Sequence, residues 1–248
     1  MKNKIVVCIP TKGRPNTTTY KLFENKKFVV KHFIEPSEID EYEVPDDSKI
    51  DIHENNKGIT YVRNFILRWA KKNNLSTIMI SDDDINAFGK AVGTKTVTTD
   101  SEIWLEIYDK CKKLPFEVIG INYVQHAWHE KKAFSINSKF PEVCVMLKVD
   151  KIDWEYEDNT KEDRDFSLET IKNGYGILRF NKYWFRCPNV GTNKGGLNEL
   201  YQSKKDIEWT KNIVEKWKPH AKVVNKKGRI DAKIDIKSVA KRYNKIIK

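Results

Sequence analysis

The hydrophobic positions along this chain change their period several times, and each change marks an element. Lys4 to Ile9 reads KIVVCI, a continuous apolar run broken by Pro10, Gly13 and Pro15. A run without alternation is a strand buried on both faces, and the loop after it opens a βα unit. KFVVKHFI at 27–34 gives a second strand, and 49–52 a brief third. Pro36-Ser37 starts a short helix between them. The period then turns helical, with Ile59, Val62, Ile66 and Trp69 on one face and Asn73-Asn74 at the end. Thr77 to Ile80 is β-branched and apolar, a fourth strand that runs directly into Ser81-Asp82-Asp83-Asp84.

Further along, Asp100 is placed to cap a helix reaching about Lys113. Strands are expected at 118–121 and 143–149. A helix over 164–173 stops at Asn173-Gly174, a residue pair that favours helix termination. After Arg179 the pattern loses regularity, with Gly191, Gly195 and Gly196 in a loop. Lys204 to Trp217 is again helical and ends before Pro219. Strands alternating with helices imply an α/β fold, a mainly parallel sheet flanked by helices. We expect one domain over 1–221 and a basic, mobile tail over 222–248. Ligands of such sheets bind at the carboxyl ends of the strands.

Composition narrows the classes. Hydrophobic residues are 39% of the chain, enough for a core, which excludes global disorder. Lys and Arg number 46 against 35 Asp and Glu, a formal charge of +11. That excess suits polyanions such as nucleic acid or sugar-phosphates. A codon bias toward Lys, Asn and Ile gives the same excess, so charge alone selects no partner. Cys8, Cys111, Cys144 and Cys187 form no C-x-x-C pair, which argues against a zinc site or a disulfide framework. No apolar run approaches the roughly 20 residues of a bilayer span. The chain opens on a strand without a secretory signal, so a soluble, cytoplasmic protein is expected.

The chemistry gathers at strand ends. Three consecutive carboxylates behind a buried strand repel one another and are partly desolvated. Mg²⁺ or Mn²⁺ relieves both, taking carboxylate oxygens and sharing its remaining sites with phosphate. The alternative is an acidic turn capping a helix at Ile85. The loop Pro10-Thr11-Lys12-Gly13-Arg14-Pro15 lies at the same sheet edge, and Lys12 and Arg14 suit phosphates. Arg63 and Asn64 lie off the apolar stripe of their helix, on a face that would otherwise be solvated. Glu162-Asp163-Arg164-Asp165 opens a helix where the macrodipole favours acids, and a carboxylate there could deprotonate a hydroxyl.

The order of these pieces resembles the family 2 type of GT-A glycosyltransferases. The corresponding residues are the IPTKGRP loop, Glu35 in FIEPSEIDEY, Gly58 with Arg63-Asn64, the 82–84 triad, and Glu162-Asp163. Three details resemble the TET/JBP-associated glycosyltransferases linked to hypermodified DNA bases. They are the IPTKGRP opening, I-E-P-x-E with Tyr42 after it, and the loop Asn189-Val190-Gly191-Thr192-Asn193-Lys194-Gly195-Gly196. The resemblance spans about residues 4 to 202. The family's Asp-Asp-Gly-Ser after the second strand is replaced by Glu35-Pro36.

This resemblance implies a GT-A fold and an inverting, metal-dependent transfer from a UDP-sugar, most simply UDP-glucose. Pro10, Thr11, Lys12, Arg14, Glu35, Gly58, Arg63, Asp82 and Asp83 would contact the donor, Glu35 at the nucleoside and Asp83 near the ribose. Asp82 and Asp84 would hold Mn²⁺ or Mg²⁺. Asp163, with Glu162 beside it, would be the base, and Asp165 offers a second carboxylate for that role. The acceptor would be a hydroxymethylated pyrimidine in DNA, as in bacteriophage genomes, flipped out of its stack. Tyr123, His126 and Trp128, adjoined by Lys131 and Lys132, are candidate acceptor contacts or else an aromatic-rich wall of the fold, and the 182–186 segment with Lys194 is a second such patch. His220 could be a late metal ligand or a tail contact, but a lone histidine is more often neither. The rivals are a glycan or protein acceptor, a nucleotidyltransferase, and a catalytically silent nucleic-acid-binding domain.

Overall fold

The computed structural model describes residues 5–24, 26–188, 205–226 and 228–243. The chain runs β1 (Ile5–Pro10), α1 (Thr18–Phe23), β2 (Phe28–Ile34), β3 (Lys49–Asp51), α2 (Gly58–Lys72) and β4 (Ile78–Ser81). The hairpin β5 (Ala87–Val92) and β6 (Lys95–Thr99) follows. Next come α3 (Ile103–Cys111), β7 (Phe116–Tyr123), α4 (Val124–Ala127), β8 (Phe134–Ile136) and β9 (Cys144–Leu147). Then come α5 (Glu162–Lys172), β10 (Gly176–Arg186), α6 (Lys205–Lys216), β11 (Ala221–Lys226), β12 (Arg229–Ile234) and α7 (Ile236–Tyr243).

The main sheet has the order β3-β2-β1-β4-β9-β7-β10-β5-β6, with β8 paired to β10. β3, β2, β1 and β4 are mutually parallel, and β7 and β10 are parallel to each other. β9 runs antiparallel between β4 and β7, so those two blocks point the same way. The result is a mixed, mostly parallel α/β sheet, as the alternation of strands and helices implied.

Both faces of this sheet are covered, which explains the unbroken apolar runs. Along β1, Val6 and Cys8 join one core cluster, and Ile5, Val7 and Ile9 join the other. β4 divides likewise, Ile78 and Ile80 against Met79. α2 covers the first face because Val62, Ile66, Leu67 and Ala70 share one side of it. Burying Ile66 and Leu67 fully stabilises the fold by about 1.5–3 kcal/mol each. α2 begins at Gly58, whose φ of 81° is open to glycine at little steric cost.

The structure differs from the sequence expectation in several segments. The short helix after Pro36-Ser37 is a single 3₁₀ turn, Ile39–Glu41. Beyond Arg179 the strand continues, because β10 extends to Arg186 and changes register between Phe180 and Trp184. The described residues 221–226 and 228–243 are folded: β11 and β12 pair antiparallel and α7 follows. Ala232, Ile236, Val239 and Ala240 enter the same core cluster as Val6 and Ile66. A mobile tail fails here because every second or fourth residue is small or apolar and finds a core to join.

Candidate active site

The site is built where β1 and β4 end and where α2 and α5 begin. The loop after β1 is tied down residue by residue. Thr11 Oγ1 donates to Asp83 Oδ2 at 2.7 Å and lies 3.1 Å from the Tyr42 hydroxyl. The Gly13 N–H donates to Glu38 Oε2 at 2.6 Å. Arg14 pairs with the other Asp83 oxygen and stands 3.5 Å from Asp84. Lys12 Nζ reaches both Glu35 oxygens at 2.9 Å and Asn56 Oδ1 at 2.5 Å. Glu35 is buried, so the structure places it behind the loop, where it holds Lys12 in position.

The three aspartates do not share one environment. Asp83 is buried, and Thr11 and Arg14 occupy its oxygens. Asp82 and Asp84 keep 35% and 25% of their side-chain surface. Burial raises the Asp82 carboxyl to about 6; Arg63 opposes that rise, and Asp84 and Asp83 add to it. Its remaining exposure lets water relieve part of the effect. Cys187 stands close by, its thiol pushed up to about 11 by burial and by Asp84 and Asp82. A protonated thiol is a poor metal ligand.

Arg63 and Asn64 are both buried, although they lie off the apolar stripe of α2. Their face is covered by the 154–156 segment and the start of α5. Asn64 exchanges two hydrogen bonds with the Tyr156 backbone, at 2.7 and 2.8 Å. The Arg63 guanidinium lies 5.6 Å from the Tyr156 ring centroid. It donates to Glu162 at 2.8 Å and to Asp82 at 3.2 Å, so it bridges the two acidic segments. Burial alone would lower the Arg63 pKa; Glu162 and Asp82 overcome it and raise the pKa. Glu162 is raised by burial, against the pull of Arg63.

The three carboxylates at the start of α5 separate in the same way. Glu162 is held by Arg63. Asp165 is fully buried and accepts from Trp217 Nε1 at 2.7 Å and Lys216 Nζ at 2.8 Å. Asp163 is half-buried and accepts a hydrogen bond from the Arg164 backbone at 2.7 Å. It lines a small hollow with Arg63, Pro141, Glu142 and Tyr156. Gly58 and Glu162 border a second cleft of about 210 Å³ with Thr60 and Trp209.

On the far side, Tyr123 enters the carboxylate cluster. Its ring packs on Phe185 at 4.5 Å between centroids. Its phenol is raised by burial and then by Glu142 and Asp163. His126 meets Tyr123 edge-on at 6.4 Å and is exposed, and Trp128 is 40% exposed. Lys194 lies outside the described residues. Glu142 was missed by sequence reasoning: it is held by Arg164 at 2.8 Å, beside Asp163 and Tyr123. A single glutamate before a strand belongs to no motif, so no sequence signal marks it.

Among the described residues no group of three or more His, Cys, Asp or Glu side chains is placed to hold a metal ion. What the site offers is Asp82 and Asp84, two partly exposed carboxylates beside further acids. That donor set fits a hard divalent cation whose other ligands come from water and a diphosphate.

The family of TET-associated glycosyltransferases matches residues 5–196. The chain belongs to that family. It is therefore a glycosyltransferase, and the matched region contains the β1 loop, α2, the 82–84 carboxylates and α5. Glucosyl-3-phosphoglycerate synthase from Mycobacterium tuberculosis, in complex with Mg²⁺ and UDP, is similar in structure, with a TM-score of 0.51. Its identity is 7%, over 94% of this chain and 87% of that one, which shows a shared GT-A-like fold. A197 from STIV is also similar, with a TM-score of 0.46 and 8% identity over 75% of this chain and 86% of that one. No curated protein sequence matches the chain. Among the described residues, no helix is long and apolar enough to cross a membrane.

Proposed function

We propose that the chain moves a sugar, with glucose from UDP-glucose the first candidate, onto the hydroxyl of a hydroxymethylated pyrimidine in DNA. The observation that carries this reading is the bridge made by Arg63, which holds Asp82 of the donor edge and Glu162 of α5 in one site. Family membership supports sugar transfer, and the link of this family to TET-type base modification supports a DNA base as acceptor. The +11 charge and the exposed Trp128 beside Lys131 and Lys132 suit an unstacked base next to phosphates.

In this reading Asp82 and Asp84 hold Mn²⁺ or Mg²⁺, which would neutralise charge on the departing diphosphate. Asp83 acts through the loop: by fixing Thr11 and Arg14 it sets the wall against which the donor lies. Lys12, held by Glu35, and Arg14 face phosphate oxygens. Asp163 takes the proton from the acceptor hydroxyl, because its carboxylate is accessible while Glu162 and Asp165 are engaged. A positioned carboxylate of this kind contributes about 10²–10⁴-fold. Arg63 opposes the protonation of Glu162 that burial favours, and so holds this side chain beside the base.

The test digests DNA after incubation with the protein, Mn²⁺ and a panel of nucleotide-sugars, and weighs the nucleosides by mass spectrometry. A hexose increment confined to hydroxymethylated pyrimidine supports the reading. Transfer to a glycan or protein hydroxyl with DNA untouched would replace the acceptor and keep the enzyme class.

A further inference from the structure

We propose that the solvent face of the β11–β12 hairpin, with α7 beside it, is where the sugar-phosphate backbone of the acceptor DNA docks. The inference rests on DNA being the acceptor. It starts from register: Lys222 stands directly opposite Lys233, and Lys226 opposite Arg229. Directly opposed residues of an antiparallel pair project from the same face, and like charges there are destabilising. The other face carries Ala221, Ala232 and Ile234, which pack into the core. The like-charged pairs therefore cannot turn inward, and all four side chains are exposed; Lys226, 63% exposed, has Asp231 at 2.8 Å and Arg229, 54% exposed, has Asp206 at 4.0 Å.

Position argues for the same role. Asp231 shares the face of these cations, opposite Val224. It is divided between Lys226 at 2.8 Å and Arg164 at 3.0 Å. Arg164 follows Asp163 directly and also holds Glu142 at 2.8 Å. The basic face is thus joined through Asp231 to the wall of the reaction site. On α7, Lys237 and Lys241 are exposed one turn apart.

Charge complementarity decides the occupant. A nucleotide-sugar carries its few charges within a short diphosphate and cannot face cations spread over a hairpin and a helix. A nucleic-acid backbone presents one charge at every phosphate and relieves the opposed pairs as it binds, with release of counterions. Such phosphate pairing sets register and orientation without reading sequence, which is what an enzyme needs to bring a flipped base to a fixed base catalyst. The hairpin lies beyond the residues matched by the family, 5–196.

The experiment measures binding of a hydroxymethylated duplex to the full chain by fluorescence anisotropy across a salt series. The wild type is compared with Lys222→Gln/Lys233→Gln, Lys226→Gln/Arg229→Gln, and all four together. Affinity for UDP and turnover on a hydroxymethylated mononucleotide are followed in parallel. The fourfold variant should bind duplex at least ~10-fold more weakly, with a salt slope shallower by about 0.9 for each phosphate left unneutralised. UDP affinity and mononucleotide turnover should be unchanged, and thermal unfolding should move little, because the lost repulsion is set against the lost exposed pair of Lys226 with Asp231. Duplex affinity and slope equal to wild type, with wild type still modifying DNA, would overturn the hairpin proposal alone. Wild type that neither binds nor modifies the duplex would instead overturn the DNA acceptor itself. Equal binding of polyglutamate and duplex by the wild type would also overturn the proposal.

Discussion

Arg63 and Glu162 meet at 2.8 Å across 99 residues of sequence, and the same guanidinium lies 3.2 Å from Asp82. One side chain of α2 thereby joins the end of β4 to the start of α5. Removing it strands the largely buried Glu162 and the partly exposed Asp82, which is more damaging than losing the attraction alone. Arg63→Met should lower unfolding free energy by about 3–5 kcal/mol at pH 7, read by urea denaturation. The deficit should shrink at pH 5, where Asp82 and Glu162, both raised by burial, take up protons. An equal deficit at both pH values would show that packing on Tyr156, and not charge, is the contribution of Arg63.

The carboxylates of α5 should separate by kind of defect. Asp163→Asn should cut turnover by about 10²–10⁴ while leaving nucleotide affinity and the unfolding midpoint unchanged. Asp165→Asn should do the reverse, because it disturbs the anchors to Lys216 and Trp217, at about 1–3 kcal/mol. Steady-state kinetics and denaturation on both variants check the pair. A larger catalytic defect in Asp165→Asn would transfer the base assignment to Asp165.

The pH dependence of the donor site follows from Asp82. Its folded pKa, about 6, exceeds the ordinary 3.8, so the folded state binds this proton more tightly than the unfolded chain does. Its ionisation therefore reduces stability as pH rises from about 4 through about 6. Only the ionised form takes a cation. Activity should fall as pH drops through about 6, and added Mn²⁺ should shift that limb to lower pH. The rise in melting temperature on adding Mn²⁺ should be larger at pH 7 than at pH 5. A metal-induced rise independent of pH would remove Asp82 from the ligand set.

His32 supplies a separate acid sensitivity. It lies on β2, fully buried, bonded to Ser48 Oγ at 3.1 Å, and burial lowers its pKa from 6.5 to about 4. The unfolded chain protonates first, so this group withdraws stability as pH falls from 6.5 to about 4, by up to about 3 kcal/mol. His32→Asn should flatten the stability profile across that window, as followed by urea midpoints from pH 4 to pH 7. An unchanged profile would assign the acid sensitivity to other groups.

The sequence made the buried half of this molecule legible. β1 and β4 read as continuous apolar runs because both sheet faces are covered, and the 82–84 carboxylates followed from β4 ending there. α2 and α5 were visible in their period and in Asn173-Gly174. Arg63 and Asn64 were harder, since a helical period shows one buried face and not the second wall that covers them. β5 and β6 were missed because β6 has hardly any buried side chain and is held through register with β5. The end of β10 was missed because its register shift breaks the alternation. In the hairpin, lysine density hid a period of two, and the turn at Gly228, with φ of 85°, lay among charged residues.

The most direct test of the central claim measures nucleotide release. The protein is supplied with UDP-glucose and a hydroxymethylated duplex, with Mn²⁺ or with a chelator, and free UDP is followed over time. The account predicts release that needs both the metal and the modified DNA, and that disappears in Asp84→Ala while the variant remains folded. Release that persists undiminished in the chelator or in Asp84→Ala would contradict it.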